Sequence, residues 1–222
     1  KTTNSRHTLG YAPNWLKMMG FPVAPNQAYV GGITYLPSVN GTWLYLSTWM
    51  DLFTREILGW KIDERMEESL VVDSLCRALN KNDCGRPLII HSDRGGQYAG
   101  KVFKSIAGKY CQSMSDADNL YDNAFAESFF SRFKAELLQG GCFENMEDAK
   151  TEIFDYIEGY YNTRRLHSSL GYKSPVQYRI EYEMQTNRSV SHEKNVEMMD
   201  HSEAELPTFQ HIINNSSKNE KD

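Results

Sequence analysis

Ser38-Val39-Asn40-Gly41 separates two runs rich in β-branched and aromatic residues, Ala28 to Leu36 and Thr42 to Met50. Asn-Gly tolerates the left-handed backbone that a tight reversal between antiparallel strands requires, so the two runs are expected to pair as a hairpin. A third run, Glu56 to Ile62, follows a short break at Asp51-Leu52-Phe53 and extends the pair to a meander. Inside the first run stand Gly31 and Gly32. Each costs backbone order and offers no side chain to the sheet, so the pair marks a place where the strand lacks something a strand normally has.

Helical spacing of apolar residues follows from Ser69 to Leu79, closed by the turn formers of Asn80 to Gly85. Leu88 to His91, after Pro87, reads as a short buried strand, Lys101 to Lys109 as a helix and Cys111 to Ser115 as a fifth strand. A longer helix is expected over Tyr121 to Leu138. Phe125, Phe129 and Phe133 recur on one core-packing stripe, with Phe130 and Leu137 beside it, and Asn123, Glu127, Ser131 and Lys134 fall on a polar face. Further helices are expected over Met146 to Asn162 and from Pro175, a residue suited to a first helical turn. This order predicts an α/β fold with a mixed five-stranded sheet flanked by helices. Residues 1–25 read as an arm or linker, 26–185 as one core domain, and 186–222 as a polar tail, disordered or weakly helical.

A chain of 222 residues suffices for one core of catalytic size. Because no apolar run approaches the ~20 residues of a membrane helix and no signal segment opens the sequence, no membrane partner and an intracellular, cytoplasmic or nucleoid-associated location are expected. Cys76, Cys84, Cys111 and Cys142 form no C-x-x-C pair, and the six histidines show no i, i+4 pairing, which argues against a zinc centre or disulfide frame. Net charge is −5, and the segment from Thr186 onward contributes four basic against seven acidic residues. The body stays slightly acidic without it, which weighs against tight DNA binding.

Two carboxylates occupy places where chemistry collects. Asp93, in His91-Ser92-Asp93-Arg94-Gly95-Gly96-Gln97-Tyr98, lies just past the C-terminal end of a buried strand, where ligands gather in α/β sheets. Glu127 lies on the polar face of an otherwise apolar helix. Such a pair suits hard divalent cations, which take oxygen ligands, although acidic residues at strand ends and helix surfaces are ordinarily solvated.

The runs HSDRGGQY, YDNAFAESFF, DLFTREILGW and YYNTRRLHSSLGYKSP, in this order, resemble the integrase catalytic core of OrfB-type bacterial insertion-sequence transposases, the third insertion-sequence family and relatives of retroviral integrases; KTTNSRHTLGYAPNWL resembles the segment leading into that core. The resemblance covers roughly residues 1–180. It implies a ribonuclease-H-like fold and an Asp-Asp-Glu triad holding two Mg²⁺ (or Mn²⁺) ions for in-line attack on a phosphodiester, with double-stranded DNA, both transposon ends and target, as substrate and a homo-oligomer as the working form. Asp93 and Glu127 match the second Asp and the Glu, as catalytic and metal-ligating residues. The first Asp belongs in a motif resembling W-V-T-D-I-T-Y, which aligns with Tyr29-Val30-Gly31-Gly32-Ile33-Thr34-Tyr35, so Gly32 stands where that carboxylate belongs.

Asp51 is the nearest acid by eye. A turn at Asn40-Gly41 pairs Gly32 near Ser47, leaving Asp51 about 13 Å along the strand, too far to share ions about 3.5–4 Å apart. A segment resembling S-M-S-R-K-G-N is here Ser113-Met114-Ser115-Asp116-Ala117-Asp118-Asn119, so repulsion of DNA phosphate is expected where relatives attract it. Asp93 and Glu127 are separated by 33 residues, against about 35 in related metal-dependent cores. The shortfall falls near Tyr110-Cys111 and preserves the parity of the fifth strand. Lys134, Arg94, Arg164 and Arg165 are the candidate DNA contacts; for the last two, service to a helix C-terminus is an equal reading.

The resulting expectation is a transposase catalytic core with impaired metal-dependent cleavage and strand transfer. A transposase-derived module that binds DNA or protein without chemistry, or a decayed copy, stays open as the alternative.

Overall fold

A computed structural model describes residues 10–39, 41–81, 87–116 and 124–202, with side chains as far as 188. Its centre is a five-stranded sheet of order β3-β2-β1-β4-β5, built from β1 (Ala28–Pro37), β2 (Trp43–Asp51), β3 (Ile57–Asp63), β4 (Ile89–Ser92) and β5 (Cys111–Met114). β1, β2 and β3 form the antiparallel meander, while β4 runs parallel to β1 and β5 parallel to β4. The shortened spacing therefore leaves the fifth strand intact. Pro37 pairs with Trp43, and the reversal between them is closed by Ser38 N–H donating to the Thr42 carbonyl at 3.1 Å; Asn40 itself lies outside the described residues. The loop is longer than a two-residue turn, so Gly32 pairs with Thr48 and not with Ser47.

Side chains alternate across a strand, so each face of the sheet gathers its own core. Ala28, Val30, Leu36, Leu46 and Ile62 join one cluster with Ala126, Phe129, Phe130 and Phe133 of α4 (Ala124–Phe133) and Ala149 and Ile153 of α5 (Met146–Phe154). Tyr29, Trp49, Leu58 and Ile90 join the opposite cluster with Val71, Leu75 and Ala78 of α2 (Glu68–Lys81) and Phe103 and Ala107 of α3 (Lys101–Ala107). The phenylalanine stripe thus serves the core as expected. The helix expected over Tyr121 to Leu138 is α4 continued by a wider π-type turn, Lys134–Leu138; Tyr121 to Asn123 lie outside the described residues. α5 opens on Asn145, whose Oδ1 accepts from the backbone N–H groups of Glu147 and Asp148, and continues as a π-type stretch to Tyr161.

The arm carries the short helix α1 (Trp15–Met19), and its Leu16 N–H and Pro13 carbonyl engage Ser113 Oγ and Met114 N–H at β5. The last helix, α6 (Pro175–Ser202), begins where Pro175 predicts. Arg179 Nε donates to the buried Glu56 Oε2 at 2.8 Å. The chain divides after Arg179, and the second unit is described only as the rest of α6. Helix therefore persists through Ser202, beyond the expected change at Gln185, while residues 203–222 of the expected tail lie outside the described residues. Among the described residues no helix is long and apolar enough to cross a membrane.

Candidate active site

The parallel ladder between β1 and β4 steps one for one, Ala28 to Ile89, Tyr29 to Ile90 and Val30 to His91. Continued by two residues it sets Gly32 beside Asp93, on neighbouring strands roughly 4.8 Å apart. Asp93 is the first residue past β4. Its Oδ1 accepts from Gly95 N–H at 2.7 Å, an Asx-type turn that fixes the carboxylate at the sheet's end. Burial pushes the Asp93 carboxyl above its ordinary range; Gly95 N–H opposes the rise, and the negative charge of Glu127 adds to it. β4 and α4 therefore bring these two carboxylates within electrostatic reach of each other.

A side chain at Gly32 would point toward α4. A Cβ on Gly32 would lie 2.8 Å from Phe130 Cε2 and 3.0 Å from Ala126 Cβ. Both neighbours lie on α4, the helix that carries Glu127. The gap, however, is closed: α4 has settled against the strand where a side chain would stand. Gly31 is used in the same way from the other face. Its Cβ would fall 2.5 Å from the Trp49 ring, whose Nε1 donates to Ser74 Oγ at 3.1 Å. Each glycine admits one aromatic ring.

Asp51 offers no substitute. It pairs opposite Tyr29, three residues from the partner of Gly32, and both its oxygens are occupied. Oδ1 accepts from Phe53 N–H, Thr54 N–H and Thr54 Oγ1, and Oδ2 from Asn26 N–H. Asp51 organises the turn after β2. Among the described residues no group of three or more His, Cys, Asp or Glu side chains could hold a metal ion. The residues present do not fit a pair of bridged cations.

The candidate DNA contacts are dispersed. Lys134 is half-buried, its Nζ 4.4 Å from the centroid of the Tyr35 ring, and burial lowers its pKa. Arg94 Nε donates to the Ser115 carbonyl at 2.7 Å, and its guanidinium lies 4.6 Å over Tyr11. Arg165 forks onto Glu136, with Nη2 2.6 Å from Oε1 and Nε 2.9 Å from Oε2. Only Arg164, in the turn after the π-type stretch, is exposed. Asp116, expected to repel phosphate, is paired with Lys17 at 2.9 Å, which holds its carboxyl below the ordinary range; Ala117 to Asn119 lie outside the described residues. His91 is a satisfied core histidine, bridging Ser113 Oγ on β5 and Ser115 Oγ just past it.

Sequence reasoning missed a cavity of about 440 Å³ between α4, the β2–β3 turn and the segment after Tyr161, which brings together Arg55, Arg132, Arg165 and His167. Nothing in the spacing of these residues links them. Three lay within runs already singled out, Arg165 and His167 in YYNTRRLHSSLGYKSP and Arg55 in DLFTREILGW, and only the fold gives all four a common wall.

Two family models described as integrase core domain match residues 22–115 and 127–182. The 31 kDa protein of insertion element IS600 from Shigella sonnei is 42% identical over 183 residues, covering 82% of this chain and 67% of that protein. The chain belongs to the integrase core domain family. The transposase for insertion sequence element IS904 of Lactococcus lactis is 42% identical over 165 residues, 73% of this chain and 65% of that protein, and transposase InsF of Escherichia coli is 38% identical over 174 residues, 78% and 60%. This integrase core chain thus spans about two thirds of the length of these relatives. The two matches break across the segment in which Asp116, Ala117 and Asp118 replace the expected basic character.

Solved structures agree on the fold. A chain of the simian T-cell lymphotropic virus intasome superposes with a TM-score of 0.58 at 19% identity, covering 80% of this chain and 61% of that one. The HTLV-2 integrase catalytic core domain in complex with magnesium gives 0.52 at 16% identity, covering 71% and 98%. The sheet and its helices are ribonuclease-H-like.

Proposed function

We propose that this chain is the catalytic-core part of a DNA transposase whose cleavage and strand-transfer chemistry is impaired. What supports this is the position of Gly32, two residues beyond the last β1–β4 pair, where continuing the ladder leads to Asp93, and covered by Ala126 and Phe130 of the helix that carries Glu127. Transposon-end and target DNA are the substrates this reading assigns, and a homo-oligomer is the form that would hold two ends together. Asp93 and Glu127 can offer a single Mg²⁺ or Mn²⁺ two carboxylates, with water completing its shell. That is one ligand short of a bridged pair. Losing several kcal/mol of transition-state stabilisation, as removal of a catalytic metal does, slows a reaction by about a thousandfold or more.

The test compares the unmodified chain with Gly32→Asp and with Gly32→Asp/Phe130→Leu. Nicking and joining of labelled duplex DNA are followed in Mg²⁺ and in Mn²⁺, with the thermal midpoint as an independent measure of ion binding. The expected order is no joining by the unmodified chain, little by the single variant and most by the double variant, with a metal-dependent rise in midpoint confined to the last two. Robust joining by the unmodified chain overturns the reading.

A further inference from the structure

The cavity beside α4 has an unusual wall. Arg55, Arg132 and Arg165 reach it with His167, Ser128, Ser168 and Ser169, and among the described residues no carboxylate lines it. In a chain of net charge −5, three guanidinium groups gathered without an acid among the lining residues call for a counter-charge. Arg165 has one, the Glu136 carboxylate. Arg55 has no carboxylate in contact among the described residues, and the Asp51 charge acts on it only from a distance: its guanidinium lies 4.0 Å from the Phe125 ring centroid and 5.2 Å from that of Phe21. Its Nη1 is buried without a hydrogen-bond partner. Its backbone sits at φ 65°, a left-handed conformation that a long side chain adopts at some cost. His167 is set edge-on to Tyr161, ring centroids 5.0 Å apart, and its Nε2 is likewise buried and unpartnered.

Buried polar atoms left unmatched are costly, the more so when charged, so two around one cavity mark a place that a ligand completes. The ligand must be anionic, small enough for the cavity, and rich in acceptors. Guanidinium forks and hydroxyls suit tetrahedral oxyanions, and arginine is the side chain that recognises them in two-pronged fashion.

We infer that this cavity is a phosphate-binding site, with Arg55 and Arg132 supplying the charge, His167 Nε2 and the serine hydroxyls the further contacts, and a backbone phosphate of DNA as the occupant. The choice of DNA over free phosphate rests on the transposase reading; the phosphate chemistry does not. Arg165, braced by Glu136, orients the rim. Burial, together with the charges of Arg165 and Arg55, holds the empty site's imidazole neutral, with a pKa near 4; Glu136 acts in the opposite sense. An arriving anion reverses that balance and favours the imidazolium, which makes His167 a reporter.

The test follows the imidazole nitrogens of the full chain by NMR, assigning His167 with His167→Gln, while inorganic phosphate or a short DNA duplex is added. Duplex affinity against salt is measured in parallel for the unmodified chain and for Arg132→Gln, an exposed position whose change leaves the core untouched. The expected result is a phosphate-dependent rise of the His167 midpoint. Arg132→Gln should weaken duplex binding about tenfold and make the log–log salt slope shallower by about 0.9, one phosphate's worth. If duplex binds equally well to Arg132→Gln and His167 does not move, the site is refuted while DNA binding stands. If phosphate moves His167 but duplex does not bind, the phosphate site stands and the DNA assignment fails. A His167 that responds to neither ligand, with no duplex bound, refutes both.

Discussion

Asp93 carries its charge where the surroundings oppose it. Burial and the nearby Glu127 raise its folded-state pKa above the ordinary 3.8, so the ionised form costs stability above the folded pKa. That cost disappears as pH falls through the folded value toward 3.8. Asp93→Asn, whose Oδ1 can still accept from Gly95 N–H, is therefore expected to raise the urea midpoint at neutral pH. The gain over the unmodified chain should shrink as pH falls and vanish below the ordinary carboxylate pKa. A constant gain at all pH values would assign it to something other than charge. The sequence reading of Gly32 as the place of an absent carboxylate rested on its neighbours Ile33-Thr34-Tyr35, which keep the motif. What filled the space was not legible there: that Phe130 and Ala126 press on it depends on how a helix about a hundred residues away rests on the strand, roughly a question of tenths of an ångström that no local pattern encodes.

At the scale of elements, β3 is an edge strand that has been closed from outside. The buried Asn162 accepts from Ile57 N–H through Oδ1 at 2.9 Å and donates from Nδ2 to the Ile57 carbonyl at 3.0 Å, standing in for a strand neighbour. Asn162→Ala strands a buried donor and acceptor together and is expected to cost about 2–3 kcal/mol in urea unfolding. A loss below about 0.5 kcal/mol, the range of ordinary surface changes, would show that water replaces the amide freely. Strand and helix identities were readable from periodicity. The hairpin register was not, because five residues, Ser38 to Thr42, separate the last paired positions, and loop length sets register. The wider turns after Phe133 and Phe154 also escaped the reading, since a π-type turn leaves the apolar spacing nearly unchanged.

For the whole molecule, net charge and local charge diverge. With an isoelectric point of about 5.7 the chain is repelled by DNA at neutral pH while one cavity wall gathers arginines. Lowering pH from about 7.5 to about 5.5 at constant ionic strength should therefore strengthen duplex binding, as read by fluorescence anisotropy, because long-range repulsion fades while the short-range contacts remain. An affinity independent of pH over that range would place all of the binding in local contacts. By itself the sequence determined the element order, the class of fold and the places of Asp93 at the end of β4 and Glu127 on α4, because periodicity, turn chemistry and motif are local properties of the chain. The tertiary structure alone decided that the vacancy at Gly32 is filled by an aromatic ring, that Arg94, Lys134 and Arg165 are engaged within the protein, and that Arg55, Arg132 and His167 share a cavity. Those outcomes depend on which side chains meet across long sequence separations, and contact of that kind is set by packing of whole elements.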